Sequence, residues 1–285
     1  MSDTVDSAPV LRITGLDVDL GSGLGTARVL SQVNLDVARG SAVGVVGESG
    51  SGKSTLAKTI IGIHRASAGS IVYDGTDLTT VRQKALQPLR RRLQYIPQDP
   101  FSSLDPRRTI GQTLAEAIDP VHARLRRHRG TIVDALAAVT LGEDTVDRYP
   151  HEFSGGQRQR IAIARALVVD PDVIIADEIT SALDVSTQAE VLRLLARLRA
   201  ELGLTMLFIS HNLAVVEELC DHVMVLLHGR VVEAGPTAEV FSDPQNAYTR
   251  KLLESVPGGP AFDVTAPLAT APVRTLSARE RRALS

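Results

Sequence analysis

The chain has 285 residues, of which 44% are hydrophobic, so it can bury the core of one large domain or of two small ones. A net charge of −2 and 3% aromatic residues argue against a nucleic-acid-binding surface, which needs many cations and stacking rings. The single cysteine, Cys220, excludes an internal disulfide framework and a four-cysteine metal site, and we expect it to be a small core residue.

The first third of the chain predicts a β layer and then a phosphate loop. Short alternating runs over about 10–40 predict antiparallel strands, with a hairpin turn at GSGLG, residues 21–25. The apolar run at 41–46 predicts a buried strand that leads into GESGSGKST, which matches G-x-x-x-x-G-K-[ST], and a helical pattern follows. We expect its N–H groups to cradle a polyphosphate, Lys53 to reach the outer phosphates and Ser54 to bind Mg²⁺. A glycine-rich turn without a ligand is the alternative. The predicted binding residues are Gly47, Glu48, Ser49, Gly50, Ser51, Gly52, Lys53, Ser54 and Thr55.

The middle of the chain changes from strands to helices and back. GSIVYDGTDL at 69–78 predicts a hairpin that turns at Asp74-Gly75. Between about 88 and 170, helical patterns at about 110–118, 131–141 and 154–169 are flanked by basic clusters, and we interpret the basic stretch 122–129 as a solvated loop. Strand patterns then return as VIIAD, TMLFIS and VMVLL. This order predicts an α/β fold with a mostly parallel sheet and a helical subdomain inserted at about 88–170.

Two adjacent carboxylates end the predicted strand VIIAD. Asp177 at the strand end can hold Mg²⁺, whereas Glu178, aimed differently as the next residue, can polarise a water for attack on the γ-phosphate. The alternative is a solvated Asp-Glu turn. Beside a phosphate loop, the pair predicts nucleotide hydrolysis.

A second phosphate-binding helix end is predicted at 154–157. Ser154 and Gln157 have the spacing of a capping box, and a capped helix start is the simple interpretation. Gly155 and Gly156 would also leave the N–H groups of this helix end open to an external anion. Because the chain already has a phosphate loop, we expect this helix end to complete the nucleotide site of another subunit.

Taken together, these motifs resemble the nucleotide-binding subunit of an ATP-binding cassette (ABC) transporter over about residues 30–235. The motifs, in the order of that family, are the phosphate loop, Gln98, FSGGQ at 153–157, Asp177-Glu178, SALD at 181–184 and His211. The resemblance implies a P-loop NTPase core of the RecA-like type within a nucleotide-binding domain at 10–256, with flexible tails at 1–9 and 257–285.

The resemblance also implies roles that the residues alone do not give. Gln98 would sense Mg²⁺ and the attacking water, and His211 would hold the γ-phosphate and the catalytic glutamate. Two such domains form a head-to-tail sandwich around two ATP molecules, so Ser154, Gly155, Gly156 and Gln157 would contact the ATP of the partner, and Asp184 would link the two sites. The implied cofactors are ATP and Mg²⁺.

Two stretches resemble the importers of oligopeptides, dipeptides and nickel. They are QDPFSSLDPRRTIG at 98–111 and DPQNAYTRKLLESVP at 243–257, the second within a C-terminal extension at about 236–256. No apolar run approaches the ~20 residues of a membrane helix, and the first ten residues lack a signal-peptide pattern. We therefore expect a subunit at the cytoplasmic face of the membrane that pairs with a second ATPase subunit, two permease subunits and an extracytoplasmic solute-binding protein, and that docks through about 98–120.

Alternatives from other classes remain open at this point. A soluble ABC ATPase that remodels nucleic acid or ribosomes would usually have tandem cassettes or long coiled coils. A regulatory cassette that only binds ATP would not need Glu178, His211 and FSGGQ together. The chain departs from the family in having no aromatic residue before Tyr73, where one usually stacks on adenine, and Leu20 or Leu24 lies near that position.

Overall fold

The computed structural model describes residues 8–21, 25–99 and 103–254, with the exception of the side chains at 83 and 84. The described residues form two units, one with the residues up to Leu93 and from Leu204 onward, the other with Gln94–Gly203. The strands are β1 Leu11–Leu20, β2 Ala27–Val37, β3 Ala42–Val46, β4 Ala68–Tyr73, β5 Thr76–Asp77, β6 Leu93–Ile96, β7 Val173–Asp177, β8 Thr205–Ile209, β9 His222–Leu227 and β10 Arg230–Pro236. The α-helices are α1 Lys53–Ile60, α2 Gln83–Arg92, α3 Ile110–Ile118, α4 Leu125–Ala138, α5 Gly155–Leu167, α6 Val185–Leu202, α7 Leu213–Leu219, α8 Thr237–Ser242 and α9 Ala247–Glu254.

The predicted antiparallel layer is a four-stranded sheet with the order β2-β1-β4-β5. Leu11 pairs with Val37 on one side and with Tyr73 on the other, and all three side chains are buried. Asp74 and Gly75 have φ values of 46° and 79° where β4 turns into β5. Both residues are of the types that tolerate the left-handed conformation of a two-residue hairpin turn. The hairpin prediction is confirmed.

The second sheet of the first unit has the strand order β10-β9-β3-β8, and β3 is parallel to both of its neighbours. Every residue of β3 is buried, as expected for a parallel strand with both faces covered. A Cβ at Gly44 would lie 2.4 Å from Cγ1 of Val216, so the glycine lets α7 approach this strand. Cys220, at the end of α7, is buried as predicted. The structure confirms the mostly parallel sheet, since β3 is parallel to both of its neighbours.

The second unit contains the neighbouring strands β6 and β7 and most of the long helices. Helix α3 has the predicted bounds and begins with a capping box between Thr109 and Gln112. The prediction of a basic loop at 122–129 is wrong, because α4 begins at Leu125. Its buried face forms a packing surface that local charge does not reveal, and Arg129 pairs with Glu143 and Asp147 of the following 3₁₀ helix.

The predicted C-terminal extension contains α8 and α9, and its last two residues, 255 and 256, lie outside the described residues. The predicted tails also lie outside them, except for residues 8 and 9. Among the described residues, no helix combines the length and the apolar composition needed to cross a membrane.

Candidate nucleotide site

The predicted phosphate loop connects β3 to α1 through Gly47–Gly52. Gly47, Gly50 and Gly52 have φ values of 149°, 81° and 107°, which side chains with a Cβ rarely adopt. A Cβ on Gly47 would lie 2.1 Å from the carbonyl oxygen of Leu226, whereas a Cβ on Gly50 would meet no atom within 4 Å. The loop therefore packs closely against the sheet at its start and leaves open space at its centre.

Lys53 folds back over this loop. Its side chain is buried, and Nζ donates hydrogen bonds to the carbonyl oxygens of Gly47 at 2.8 Å and Glu48 at 2.9 Å. Glu48, Ser49 and Gly50 are exposed, and Ser54 and Thr55 are half-buried in the first turn of α1. The loop thus presents a cation, exposed backbone and the positive end of a helix on one segment, which is the arrangement that binds polyphosphates.

His211 follows strand β8 at the same edge of the sheet at which the phosphate loop follows β3. β3 and β8 are parallel, Val45 pairs with Ile209, and the N–H of Ser210 donates to the carbonyl oxygen of Val45 at 3.2 Å. The next residue, His211, is exposed. Its position at the carboxyl end of a parallel strand agrees with a ligand-contacting role, since α/β sheets bind ligands at that edge.

The second unit holds the carboxylate pair at the end of β7. Asp177 is buried, and its Oδ2 accepts a hydrogen bond from the hydroxyl of Tyr95 at 2.8 Å. Glu178 is half-buried, and its Oε2 accepts a hydrogen bond from Nε2 of Gln98 at 3.2 Å. The adjacent carboxylates therefore contact different groups, as the prediction of separate roles requires.

The second residue of the carboxylate pair has a left-handed backbone conformation. Glu178 has a φ of 48°, an uncommon conformation for a residue with a side chain. Its carbonyl oxygen accepts hydrogen bonds from the N–H and the hydroxyl of Ser181, and Nε2 of Gln98 also donates to Oγ of Ser181 at 3.1 Å. The turn after β7 thus holds Gln98 and Glu178 together, although they are 80 positions apart. A strained conformation of this kind is typical of functional sites.

The predicted capping box at the start of α5 is confirmed. Oγ of Ser154 accepts the N–H of Gln157 at 3.3 Å, and Oε1 of Gln157 accepts the N–H of Ser154 at 3.0 Å. Ser154 is exposed, and Gly155 is half-buried. A Cβ on Gly156 would lie 2.2 Å from Cγ2 of Thr187, so this glycine serves close packing between α5 and α6 in addition to the predicted exposure of N–H groups.

Asp184 is the N-cap residue of helix α6 and lies next to the contact between Gly156 and Thr187. It accepts hydrogen bonds from the N–H of Thr187 at 2.9 Å, from Oγ1 of Thr187 at 2.8 Å and from Oγ of Ser186 at 2.6 Å. These bonds, with the one from Ser186 first, lower the pKa of Asp184 to about 2. Thr187 therefore joins the start of α5 to the residue that caps α6, and the sequence analysis did not identify it.

Tyr95 is the other residue that sequence reasoning missed. Burial, together with the charge of Asp177, raises the pKa of its phenol well above the ordinary value, so the hydroxyl stays protonated and donates. Tyr95 lies in β6, 82 positions from Asp177, and no local pattern connects the two residues.

The predicted metal ligands are chemically suitable for Mg²⁺. Ser54 offers a hydroxyl, Asp177 a buried carboxylate and Gln98 an amide oxygen, and Mg²⁺ prefers such oxygen ligands while keeping several waters. Because Nε2 of Gln98 donates to Glu178 and Ser181, its Oε1 is the atom that could act as a ligand. Within the described residues, no group of three or more His, Cys, Asp or Glu side chains could hold a metal ion.

Comparisons with known proteins identify the family of this chain. The ABC transporter family profile matches residues 30–181. A Brucella ovis protein whose name describes peptide import and ATP binding is 49% identical over 254 residues, which cover 87% of this chain and 79% of that protein. The glutathione import ATP-binding protein GsiA of Escherichia coli strain K12 is 45% identical over 262 residues, which cover 89% of this chain and 42% of GsiA.

Solved structures give the same result at the level of the fold. The protein cbiO1 of Clostridium perfringens, part of the ABC transporter complex cbiONQ, has a TM-score of 0.73 and 30% identity, and the match covers 83% of this chain and 92% of cbiO1. The dimeric ATP-binding cassette MJ0796, bound to ADP and Pi, has a TM-score of 0.70 and 28% identity, and the match covers 80% of this chain and 98% of that cassette. The phosphate loop, the carboxylate pair and these matches together show that the chain belongs to the ABC transporter family.

Proposed function

We propose that this chain is the ATP-hydrolysing subunit of an importer for peptides or a related small solute. Its family membership makes it an ATPase. The import of peptides is supported by the names of the relatives that match most of the chain, one for peptide import and one for glutathione import. The observation that carries the hydrolytic role is the hydrogen bond between Gln98 and Glu178, which sets this carboxylate apart from Asp177.

Each residue of the site then has a defined task. The N–H groups of the phosphate loop and Lys53 bind the phosphates, while Ser54, Asp177 and Oε1 of Gln98 would hold Mg²⁺. Bound Mg²⁺ would neutralise charge on the β- and γ-phosphates. Glu178 accepts a proton from the attacking water, and Gln98 orients that carboxylate through the hydrogen bond described above. His211 holds the γ-phosphate.

A second ATPase subunit completes the site. Ser154, Gly155, Gly156 and Gln157 would contact the γ-phosphate bound to the partner, because a capped helix start with glycines exposes N–H groups to an anion. Asp184, which lies beside that helix start through Thr187, would link the two sites. A solved cassette of this family is a dimer bound to ADP and Pi, which supports the arrangement.

The remaining partners are membrane proteins and a solute-binding protein. The chain would act at the cytoplasmic face of the membrane through two permease subunits, with docking near residues 98–120. In this proposal residues 10–256 form the nucleotide-binding domain, about 88–170 its helical subdomain and about 236–256 the importer-type extension. ATP binding favours the closed dimer, and hydrolysis removes the γ-phosphate that holds it closed.

The first test is the substitution Glu178→Gln, which removes the base and keeps the phosphate contacts. Positioned acid–base groups contribute ~10²–10⁴-fold to rate, so ATP turnover should fall by at least 100-fold while ATP binding persists. Turnover is measured as phosphate release by the purified complex with its permease subunits. Unimpaired turnover would reject the role of Glu178.

The proposed role in peptide import needs a separate measurement. The tagged chain is purified from its own cells in mild detergent, the associated chains are identified, and uptake of labelled di- and tripeptides is measured with and without the Glu178→Gln substitution. Permease partners together with peptide uptake that stops in the variant would support the proposal. Association with ribosomes, or unchanged peptide uptake, would contradict it.

A further inference from the structure

Tyr248 of the C-terminal helix α9 contacts the phosphate loop directly. Its hydroxyl oxygen accepts the backbone N–H of Glu48 at 3.0 Å, across 200 positions of the chain. The carbonyl oxygen of the same residue, Glu48, accepts a hydrogen bond from Nζ of Lys53 at 2.9 Å. Both backbone polar groups of Glu48 are therefore held, one by the loop's own lysine and the other by α9.

Tyr248 is held in place by a network that begins on β10. The carboxylate of Glu233 accepts the N–H of Gln245 at 2.7 Å and the N–H of Asn246 at 3.1 Å, using both of its oxygens. Oδ1 of Asn246 then accepts the N–H of Tyr248 at 2.8 Å. Because Glu233 lies in strand β10, this network fixes the position of the Tyr248 phenol relative to the sheet.

The negative charge of Glu233 strengthens the hydrogen bonds that hold Tyr248. Burial raises the pKa of Glu233, but its hydrogen bonds and the positive charge of Arg250 more than offset that effect, and the pKa lies below its ordinary value. Glu233 is therefore ionised at neutral pH, and hydrogen bonds to a charged acceptor are stronger than those between neutral groups.

A restraint on a glycine-rich loop lowers the entropic cost of ligand binding more than the same restraint on an ordinary loop. Gly47, Gly50 and Gly52 give the loop access to many conformations, and ordering them on binding has an entropic cost. The carbonyl oxygen of Gly47 is held by Nζ of Lys53, and Lys53 lies in α1. Glu48 is exposed and lies between them, so the phenol of Tyr248 restrains one exposed residue of the loop.

We propose that Tyr248 is a positioning residue for ATP binding, whose hydroxyl, held from Glu233 through Asn246, preorganises the phosphate loop at Glu48. The C-terminal extension is thereby part of the nucleotide site rather than an appendage to it. This inference rests on the proposed role of residues 47–55 in binding phosphate.

The test compares variants of the full chain by equilibrium binding of ATP with Mg²⁺. Tyr248→Phe keeps the ring and removes the accepting oxygen. Because water can replace the partner of an exposed N–H, the loss should be at the lower end for a hydrogen bond, about two- to fivefold weaker ATP binding. Lys251→Ala, an exposed position on the same helix, is the matched control and should leave ATP affinity unchanged.

A second variant tests the route through the network. Glu233→Gln keeps the side-chain shape but removes the charge and one acceptor, so it should weaken ATP binding in the same direction. The double variant Glu233→Gln with Tyr248→Phe should bind no more weakly than Tyr248→Phe alone, because both changes release the same contact. In the permease complex, KM for ATP should rise in Tyr248→Phe while kcat stays the same.

The outcomes separate this inference from the proposed function. Unchanged or tighter ATP binding by a folded Tyr248→Phe variant would overturn the inference, as would an equal loss in Lys251→Ala. If Lys53→Ala also bound ATP as tightly as the wild type, the phosphate-loop role itself would be wrong. If Lys53→Ala weakened binding and Tyr248→Phe did not, only the role of Tyr248 would fail.

Discussion

Asp177 and Glu178 are neighbours in the chain, yet the left-handed conformation of Glu178 gives them separate surroundings. One carboxylate is buried against the hydroxyl of Tyr95, and the other is half-buried against Gln98. A buried carboxylate held by a protonated phenol is suited to metal binding, whereas a more accessible one is suited to contact with water. In the proposed function, Asp177 would hold Mg²⁺ and Glu178 would accept the proton.

Recognition of adenine gives a second prediction that concerns a single residue. Leu20 ends β1, pairs with Ala27 and is half-buried, while Leu24 lies outside the described residues. An aliphatic side chain offers contact area but no ring to stack on adenine, so affinity should depend mainly on phosphates and Mg²⁺. We expect the chain to distinguish ATP from GTP by less than about tenfold, or ~1.4 kcal/mol.

Equilibrium binding of ATP and GTP with Mg²⁺ to the isolated chain measures this preference. Leu20→Tyr should tighten ATP binding if Leu20 faces the base, since stacking on a base is worth ~1–3 kcal/mol, and Leu20→Val is the aliphatic control. A preference for ATP well beyond tenfold in the wild type would mean that another group recognises adenine.

At the scale of elements, three of the predicted binding segments lie at helix starts. Helix α1 follows the phosphate loop, α5 begins with the Ser154 capping box, and α6 begins with the Asp184 cap. The starts of α5 and α6 touch through Gly156 and Thr187, so a change at either cap should reach the other. The basic residues of 122–129 do not predict the start of α4 at Leu125, because this helix is stabilised by the packing of its buried face.

The cap at Asp184 predicts a defined pH dependence of stability. Its folded pKa of about 2 lies below the ordinary value of about 3.9, so its contribution is fully present above about pH 4 and is lost as the pH falls toward 2. The difference in urea midpoint between the wild type and Asp184→Ala should be constant from about pH 7 to 5 and should shrink below about 4.

Ser186→Ala is the companion variant for that experiment. It removes the hydrogen bond that contributes most to the low pKa, so the loss of stability on acidification should begin near the same pH of about 4 as in the wild type but should be smaller and complete at a higher pH. A difference between the wild type and Asp184→Ala that grows on acidification would contradict the assignment.

At the scale of the whole molecule, the proposed site is complete only when two chains meet. Ser154 is exposed at the start of α5, where its hydroxyl caps the chain's own helix. We expect a second copy or a related subunit to place its ATP against this helix start. The same protein surface would then serve local helix stability in the monomer and phosphate binding in the dimer.

Ser154→Arg should block that dimer without removing ATP from the monomer, because it places bulk and charge where the phosphate of the partner would sit. In the Glu178→Gln background, which should accumulate the ATP-bound dimer, sedimentation should show dimers for the parent and for the added Ser154→Thr, which keeps the capping hydroxyl. The Ser154→Arg double variant should remain a monomer with ATP bound. Equal dimerisation with Ser154→Arg would reject a contact across the dimer.

Local sequence determined the parts of this protein that depend on a few adjacent residues. Backbone preferences and hydrogen bonds within nine positions determine three such parts: the phosphate loop, the Asp74-Gly75 turn and the Ser154 capping box. Local sequence patterns therefore predict them. The family could be named from the order of such motifs for the same reason.

Only the tertiary structure decided which distant groups share a site. The bonds from Tyr95 to Asp177, from Gln98 to Glu178 and from Glu48 to Tyr248 join residues 82, 80 and 200 positions apart. No local preference selects such pairs, because their meeting depends on how strands and helices pack around buried cores rather than on the residues near them in the chain. The contact of α9 with the phosphate loop therefore emerged only from the folded chain.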